Sequence, residues 1–83
     1  MKTFYGVNVE FYDNGEVKAY MTVRQAKERP HSQQRRVHKM TTFTIWLMYK
    51  VTADHFLAGI IAGKITLDDV LYVYSGKREG AAA

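Results

Sequence analysis

The tripeptide Asp13-Asn14-Gly15 constrains the fold of this chain more than any other stretch. It separates residues 4–12 from residues 16–23, two runs in which apolar and polar side chains alternate. Asn-Gly between two such runs is the strongest short-range signal for a β-hairpin. The sequence therefore predicts an N-terminal hairpin with its turn at these residues.

The alternation also selects the length of the hairpin loop. A two-residue loop, Asn14-Gly15, would set the apolar positions of the first strand against polar positions of the second. A three-residue loop that includes Asp13 instead gives four mainly apolar pairs on one face: Phe11–Val17, Val9–Ala19, Val7–Met21 and Tyr5–Val23. A slip of one residue moves every side chain to the other face, so the three-residue loop is predicted. Gly15 then supplies the positive φ that the turn requires.

The second face of this hairpin is expected to point outward. It pairs Glu10 with Lys18, which are opposite charges, and it also carries the aromatic side chains that remain. The residues expected to face outward are Phe4, Asn8, Glu10, Tyr12, Lys18 and Tyr20. Tyrosine is enriched at protein interfaces, so exposed tyrosines here are candidate binding residues.

Residues 40–51 have the composition of a long strand, because β-favouring side chains occupy both alternating faces. We expect this strand to be central in the sheet. Thr52 is a suitable N-cap for a helix over residues 53–62, which Gly63 can end. Residues 65–75 fit either a strand or a second helix, and Thr66 as a cap with Asp68 and Asp69 in the first turn favours the helix.

Together these elements predict an α+β fold. We expect an antiparallel sheet of about three strands, made of the N-terminal hairpin and the long central strand, packed with one or two C-terminal helices. Residues 1–76 are expected to form one domain and residues 77–83 a frayed tail. A meander is the simplest strand order, but the interval between the second and third strands is long enough to cross over.

Residues 24–39 carry most of the positive charge of a chain whose net charge is +4. Six Lys and Arg stand there against Glu28 alone, in a stretch with no apolar periodicity. We predict a flexible basic excursion that binds an acidic partner. The candidate binding residues are Arg24, Lys27, Arg29, Arg35, Arg36 and Lys39, with Tyr12 and Tyr20 as flanking aromatics.

Other kinds of site find little support in the sequence. There is no cysteine, and the three histidines lack the spacing of a metal site. Asp68 and Asp69 are adjacent, so on a helix their side chains diverge. No nucleophile or phosphate-loop motif occurs. We therefore expect a protein without enzymatic activity, cofactor or metal. The apolar runs are too short to span a membrane and no secretory signal is evident, so a cytoplasmic location is expected.

Three segments, Val51–Asp54, Ala62–Asp69 and Tyr74–Gly76, resemble the helix–glycine–helix pattern of small proteins encoded beside phage tail genes. The resemblance implies a phage or mobile-element origin. The first hypothesis is a binding protein, similar in kind to anti-CRISPR proteins, that inhibits a host nucleic-acid enzyme. Its basic segment would contact an acidic protein surface or a nucleoprotein complex. The alternative is direct binding of nucleic acid, and a homodimer also stays open.

Overall fold

The computed structural model describes residues 1–76, which form a four-stranded antiparallel sheet and two helices. The predicted tail, residues 77–83, lies outside the described residues. The elements in chain order are β1 (Lys2–Tyr12), β2 (Val17–Ala26), β3 (Gln33–Val37), β4 (Met40–Leu47), α1 (Lys50–Ile61) and α2 (Leu67–Tyr74). The α+β class predicted from the sequence is confirmed.

The first hairpin has the predicted register. Phe11 lies opposite Val17, and the pairing continues without interruption to Lys2 and Ala26. The loop is Asp13-Asn14-Gly15, and Gly15 has a φ of 93°. The Tyr12 N–H donates to the Glu16 carbonyl at 2.9 Å and closes the loop. The three-residue turn is thus confirmed.

The prediction of about three strands is wrong, because a fourth strand lies inside residues 24–39. β2 extends to Ala26, and β3 forms a second hairpin with β4 through a turn at His38 and Lys39. All five residues of β3 are exposed, so no apolar alternation marks this strand in the sequence. It forms because pairing with β4 satisfies main-chain groups that would otherwise remain unbonded at that edge.

The strands run in the order β2-β1-β4-β3, so β4 pairs with β1 and not with β2. The chain therefore crosses over between the two hairpins instead of forming a simple meander. β4 is one of the two central strands, as expected. Its end is not where it was predicted, because pairing with β1 stops at Leu47 and α1 begins at Lys50. The helix carries its own i,i+4 ion pair, Lys50 to Asp54 at 2.8 Å.

The ends of the helices show where local signals are sufficient. The predicted Thr52 cap is wrong, because Tyr49 is the N-cap of α1 and makes no side-chain capping bond. The predicted cap of α2 is correct. Thr66 and Asp69 form a reciprocal capping box, and the helix then runs from Leu67 to Tyr74. The helical interpretation of this segment is confirmed.

Both helices pack on the same face of the sheet, which carries the odd-numbered side chains of β1. The core lies between the sheet and the two helices, and it is built from residues of β1, β4, α1 and α2: Val7, Val9, Phe43, Ile45, Ala53, Ile60 and Val70. Phe43 also makes edge-on ring contacts with Phe11 and Tyr74. Neither of these helices covers the opposite face, and we call it the open face.

The open face contains one small apolar cluster that the sequence does not predict. Phe4 was expected to face outward, yet it is only 2% exposed. Trp46 lies on the same face and is 7% exposed. Its ring sits directly over Gly6, where a Cβ atom would meet ring carbons at 2.9–3.1 Å. The expectation that Phe4 is exposed therefore fails, because Phe4 lies on the open face, as Trp46 does, but is buried there.

Candidate functional site on the open face

The structure divides the predicted binding residues between the two faces of the sheet. Strand alternation and pairing place Tyr12, Tyr20, Arg24 and Arg35 on the open face. Arg36 follows Arg35 on β3 and therefore points to the other face. Two further residues lie outside the strands, Lys39 in the β3–β4 turn and Lys27 in the β2–β3 connection. Arg29 belongs to the same connection.

A polar groove runs along the open face. Two adjoining cavities form it, with volumes of about 380 and 190 Å³, and both are lined by Asn8, Gln33 and Thr44. Arg24 lines the larger cavity, near Trp46, and Arg35 lines the smaller one. We call this feature the open-face groove. It has an arginine at each end and hydrogen-bonding side chains between them.

Asn8 organises the floor of the open-face groove. Its Nδ2 donates to Thr22 Oγ1 at 2.8 Å, and its Oδ1 accepts from Thr44 Oγ1 at 2.9 Å. These bonds connect β2, β1 and β4 through side chains on one face. Because both ends of the amide are bonded, its orientation is set, and the threonine hydroxyls are held in place beside it.

Arg24 covers the apolar end of the groove. The centre of its guanidinium lies 5.1 Å from the centroid of the Trp46 ring, within the range of a cation–π contact. This stacking orients the guanidinium, and Arg24 as a whole is exposed. The main-chain N–H of Trp46 donates to Ser32 Oγ at 3.0 Å, which ties the β2–β3 connection to β4 at the same end.

The other end of the groove is lined by a negative group, Glu10. Tyr12 donates its hydroxyl proton to Glu10 Oε1 at 2.8 Å, and this hydrogen bond raises the pKa of Tyr12 above its ordinary value. Lys18 lies 5.4 Å from the centroid of the Tyr12 ring and 3.7 Å from Glu16 Oε1. Tyr20 is 55% exposed, which leaves its ring accessible to a bound molecule.

Arg36 has a structural contact on the other face. Its guanidinium donates to both carboxylate oxygens of Asp13, at 2.8 and 2.6 Å, and to Thr41 Oγ1 at 3.1 Å. These bonds lower the pKa of Asp13 and raise the pKa of Arg36. The Asp13 N–H also donates to the Lys39 carbonyl. Arg36 therefore joins the two hairpin turns and is separated from Arg35 by the sheet.

Charge is distributed unevenly between the two halves of the chain. Residues 1–47 contain eight Lys and Arg against four Asp and Glu, and residues 48–76 contain two Lys against three Asp. The first set forms the sheet and its loops, and the second forms the helical layer. The molecule is thus electropositive on its sheet side, where the groove lies.

Another cavity, of about 570 Å³, lies beside the groove, where β3 no longer covers the edge of β4. It is lined by the β2–β3 connection, by Ile45, Trp46 and Leu47 of β4, and by the C-terminal end of α2. Mixed apolar and polar side chains form its walls. Its lining includes Arg29 and His31, which both belong to the β2–β3 connection.

Several groove residues are not among the binding residues predicted from the sequence, although Asn8 was expected to face outward. They are Asn8, Thr22, Gln33, Thr42 and Thr44. Four of them, Asn8, Thr22, Thr42 and Thr44, share a signal, which is a polar side chain alternating with apolar ones along β1, β2 or β4. Gln33 of β3 has no such signal. Only the strand order reveals that these residues adjoin one another.

Among residues 1–76, no three His, Asp or Glu side chains are grouped so as to hold a metal ion. Neither helix described by the structure is long and apolar enough to cross a bilayer. Comparison of the chain with protein-family models, with curated proteins and with solved structures found no match.

Proposed function

We propose that this protein is a non-enzymatic binding protein that docks on an acidic protein surface or nucleoprotein complex through the open-face groove. The observation that carries the proposal is the position of Arg24 and Arg35 at opposite ends of one polar groove. Between them, Asn8 and the threonines present hydrogen-bonding groups in fixed orientations. Carboxylates of a partner would bind the arginines, because guanidinium groups favour such pairs.

The proposal narrows the predicted basic segment to a smaller set of residues. Arg36 is engaged with Asp13 on the other face, so it cannot bind the same partner surface as Arg35. The binding residues we propose are Arg24 and Arg35, with Tyr20 and Tyr12 beside them. Lys27, Arg29 and Lys39 contribute long-range attraction from the adjoining loops.

The two neighbouring arginines of β3 provide a matched test. The tagged protein is used to capture a partner from lysate of its own host, and the purified pair is then titrated. Arg35→Glu should abolish capture and weaken the purified complex at least about tenfold, since it puts like charge against an acidic surface. Arg36→Gln should leave both unchanged. Equal loss in the two variants, or binding retained by Arg35→Glu, would contradict the groove as the docking site.

The biological role we propose is inhibition of a host nucleic-acid enzyme. Its support is the resemblance of the helical segments to small proteins encoded beside phage tail genes, together with the electropositive sheet side. If the captured partner is such an enzyme, a stoichiometric amount of the wild-type protein should inhibit it, and Arg35→Glu should not. A partner of another class would remove the inhibitory role and leave the docking proposal standing.

Direct binding of single-stranded nucleic acid is a second candidate, and exposed Tyr20 beside the groove favours it. A base could stack on this ring while phosphates bind the nearby cations. Three groove-side cations, Lys18, Arg24 and Arg35, would give a slope of about −2 in log K against log salt for a single strand. A titration with labelled oligonucleotides measures this slope. No binding at low salt would remove this candidate.

A further inference from the structure

β2 is a long strand at one edge of the sheet. It is ten residues long and pairs on one side with β1, and no strand of residues 1–76 lies on its other side. Most of its side chains are exposed, including Val23 at 59% and Val17 at 42%. It contains no proline, and its only charges are Lys18 and Arg24. Long, regular edges of this kind are templates for pairing with another strand.

The hydrogen-bond pattern of the hairpin shows which groups face this free edge. The Tyr12 N–H donates to the Glu16 carbonyl, so even-numbered residues of β2 bond to β1. The Tyr20 carbonyl accordingly lies toward β1, where it accepts a bond from Asn8 Nδ2. The main-chain groups of the odd-numbered residues therefore point outward. They are Val17, Ala19, Met21, Val23 and Gln25.

We propose that β2 pairs antiparallel with β2 of a second copy of this chain, forming a two-fold symmetric dimer. In the register centred on Tyr20, Val17 lies opposite Val23 and Ala19 lies opposite Met21. The outward groups of these residues match in this register and form about eight main-chain hydrogen bonds, two for each such pair. The four-stranded sheets of the two copies then become one continuous sheet.

The side chains are complementary in the same register. On the helix side, Val17 of each copy packs against Val23 of the other. On the open face, Glu16 of each copy lies opposite Arg24 of the other, and the two Tyr20 rings meet at the axis. A register centred on Met21 would instead place Lys18 opposite Arg24 twice, which is unfavourable. Charge complementarity therefore supports a second copy as the partner and favours the register centred on Tyr20 over the one centred on Met21.

The other edge of the sheet contrasts with this one. β3 has only five residues, and two of them are Arg35 and Arg36. Self-pairing there would bring like-charged arginines of the two copies close to each other across a short contact, which like-charge repulsion opposes. In the β2 dimer, the open-face grooves of both copies lie on one side of the joined sheet.

Cysteine cross-linking tests the register, because the natural chain has no cysteine. Tyr20 lies opposite its own copy in a non-hydrogen-bonded pair, where Cα atoms are about 4.5 Å apart, a distance that a disulfide spans. Under mild oxidation, Tyr20→Cys should form a disulfide-linked dimer on a non-reducing gel. The matched controls Lys18→Cys and Thr22→Cys should form no disulfide-linked dimer on the same gel, because equivalent positions of the two copies are about 13 Å apart along the strands. No cross-linking at position 20, or equal cross-linking at all three positions, would overturn the register.

Sedimentation equilibrium of the full wild-type chain tests the dimer itself. A single monomeric species up to roughly 1 mM would overturn it, since that concentration detects even weak association. Glu16→Arg and Arg24→Glu should each raise the dimer dissociation constant about tenfold, because each change sets two like-charged pairs together. The double variant restores the opposite charges and should return to within about twofold of wild type. Failure of this rescue, in variants with unchanged circular dichroism, would also overturn the proposal.

Discussion

Replacement of Gly6 by alanine should destabilise the protein, although alanine usually favours a strand over glycine. The new Cβ would lie 2.9, 3.0 and 3.1 Å from three carbons of the Trp46 ring. Favourable carbon contacts are about 3.5–4.0 Å, so the ring or the strand must move by about half an ångström. The ring is 7% exposed and held under Arg24, so it has little room to move.

The size of this effect follows from two opposing terms. Overpacking of a buried contact lowers the free energy of unfolding by about 1–3 kcal/mol, and replacing a glycine in a strand by alanine raises it by about 0.5–1 kcal/mol. We expect Gly6→Ala to lower the free energy of unfolding by about 1–2 kcal/mol. For a domain of this size, each kcal/mol lowers Tm by about 4–8 °C. Urea unfolding followed by far-UV circular dichroism measures the change.

A double-mutant cycle tests whether the indole is the cause. In a Trp46→Leu background the ring is absent, so Gly6→Ala should be neutral or stabilise the protein by up to about 1 kcal/mol. Unfolding is followed by circular dichroism, because Trp46 is the only tryptophan and the Trp46→Leu background therefore has no tryptophan fluorescence. An equal cost of Gly6→Ala in both backgrounds would refute the packing explanation. A wild-type background that tolerates the change without cost would refute it as well.

Three further changes test other parts of the fold. Arg36 lowers the pKa of Asp13, so the pair stabilises the fold above the ordinary pKa of 3.8, and this contribution is lost as the pH falls through the lowered value. Asp13→Asn should therefore flatten the fall of Tm at acid pH. A curve of Tm against pH that is unchanged in this range would contradict the argument. Thr66→Ala removes the capping box and should cost about 0.5–2 kcal/mol in urea unfolding, whereas an unchanged midpoint would exclude a capping role. Val9→Ala, at a fully buried position, should lower the free energy of unfolding by about 2–3 kcal/mol. Val51→Ala, at a position 67% exposed, should be neutral or slightly stabilising. Similar losses of stability in the two variants would contradict the burial pattern.

The proposed binding surface illustrates how a sequence cluster can be divided by a fold. Arg35 and Arg36 are adjacent in a basic segment, and charge alone treats them as one site. Because β3 is a strand, their side chains point to opposite faces of the sheet, and the Arg36 guanidinium is hydrogen-bonded to the Asp13 carboxylate. Arg24 and Arg35 are eleven residues apart in the chain but share a groove, because β2 and β3 are the outer strands of the same sheet.

Local patterns in the sequence determined the features that depend on neighbouring residues. The loop Asp13-Asn14-Gly15 and the alternation around it set the register of β1 with β2, because any slip would bury polar side chains. Thr66 and Asp69 set the start of α2, since a capping box is completed within four residues. The odd-numbered face of β1 could be identified as the core side for the same local reason.

Only the tertiary structure decided the features that depend on which strands become neighbours. β3 has no apolar pattern, so its existence depends on the unpaired edge of β4. Phe4 is buried on the open face, the same face on which β4, almost forty residues later in the chain, places Trp46 over Gly6. The open-face groove likewise needs β1 and β4 side by side between two edge strands. Strand order is settled by long-range packing and hydrogen bonding, and no local periodicity records it.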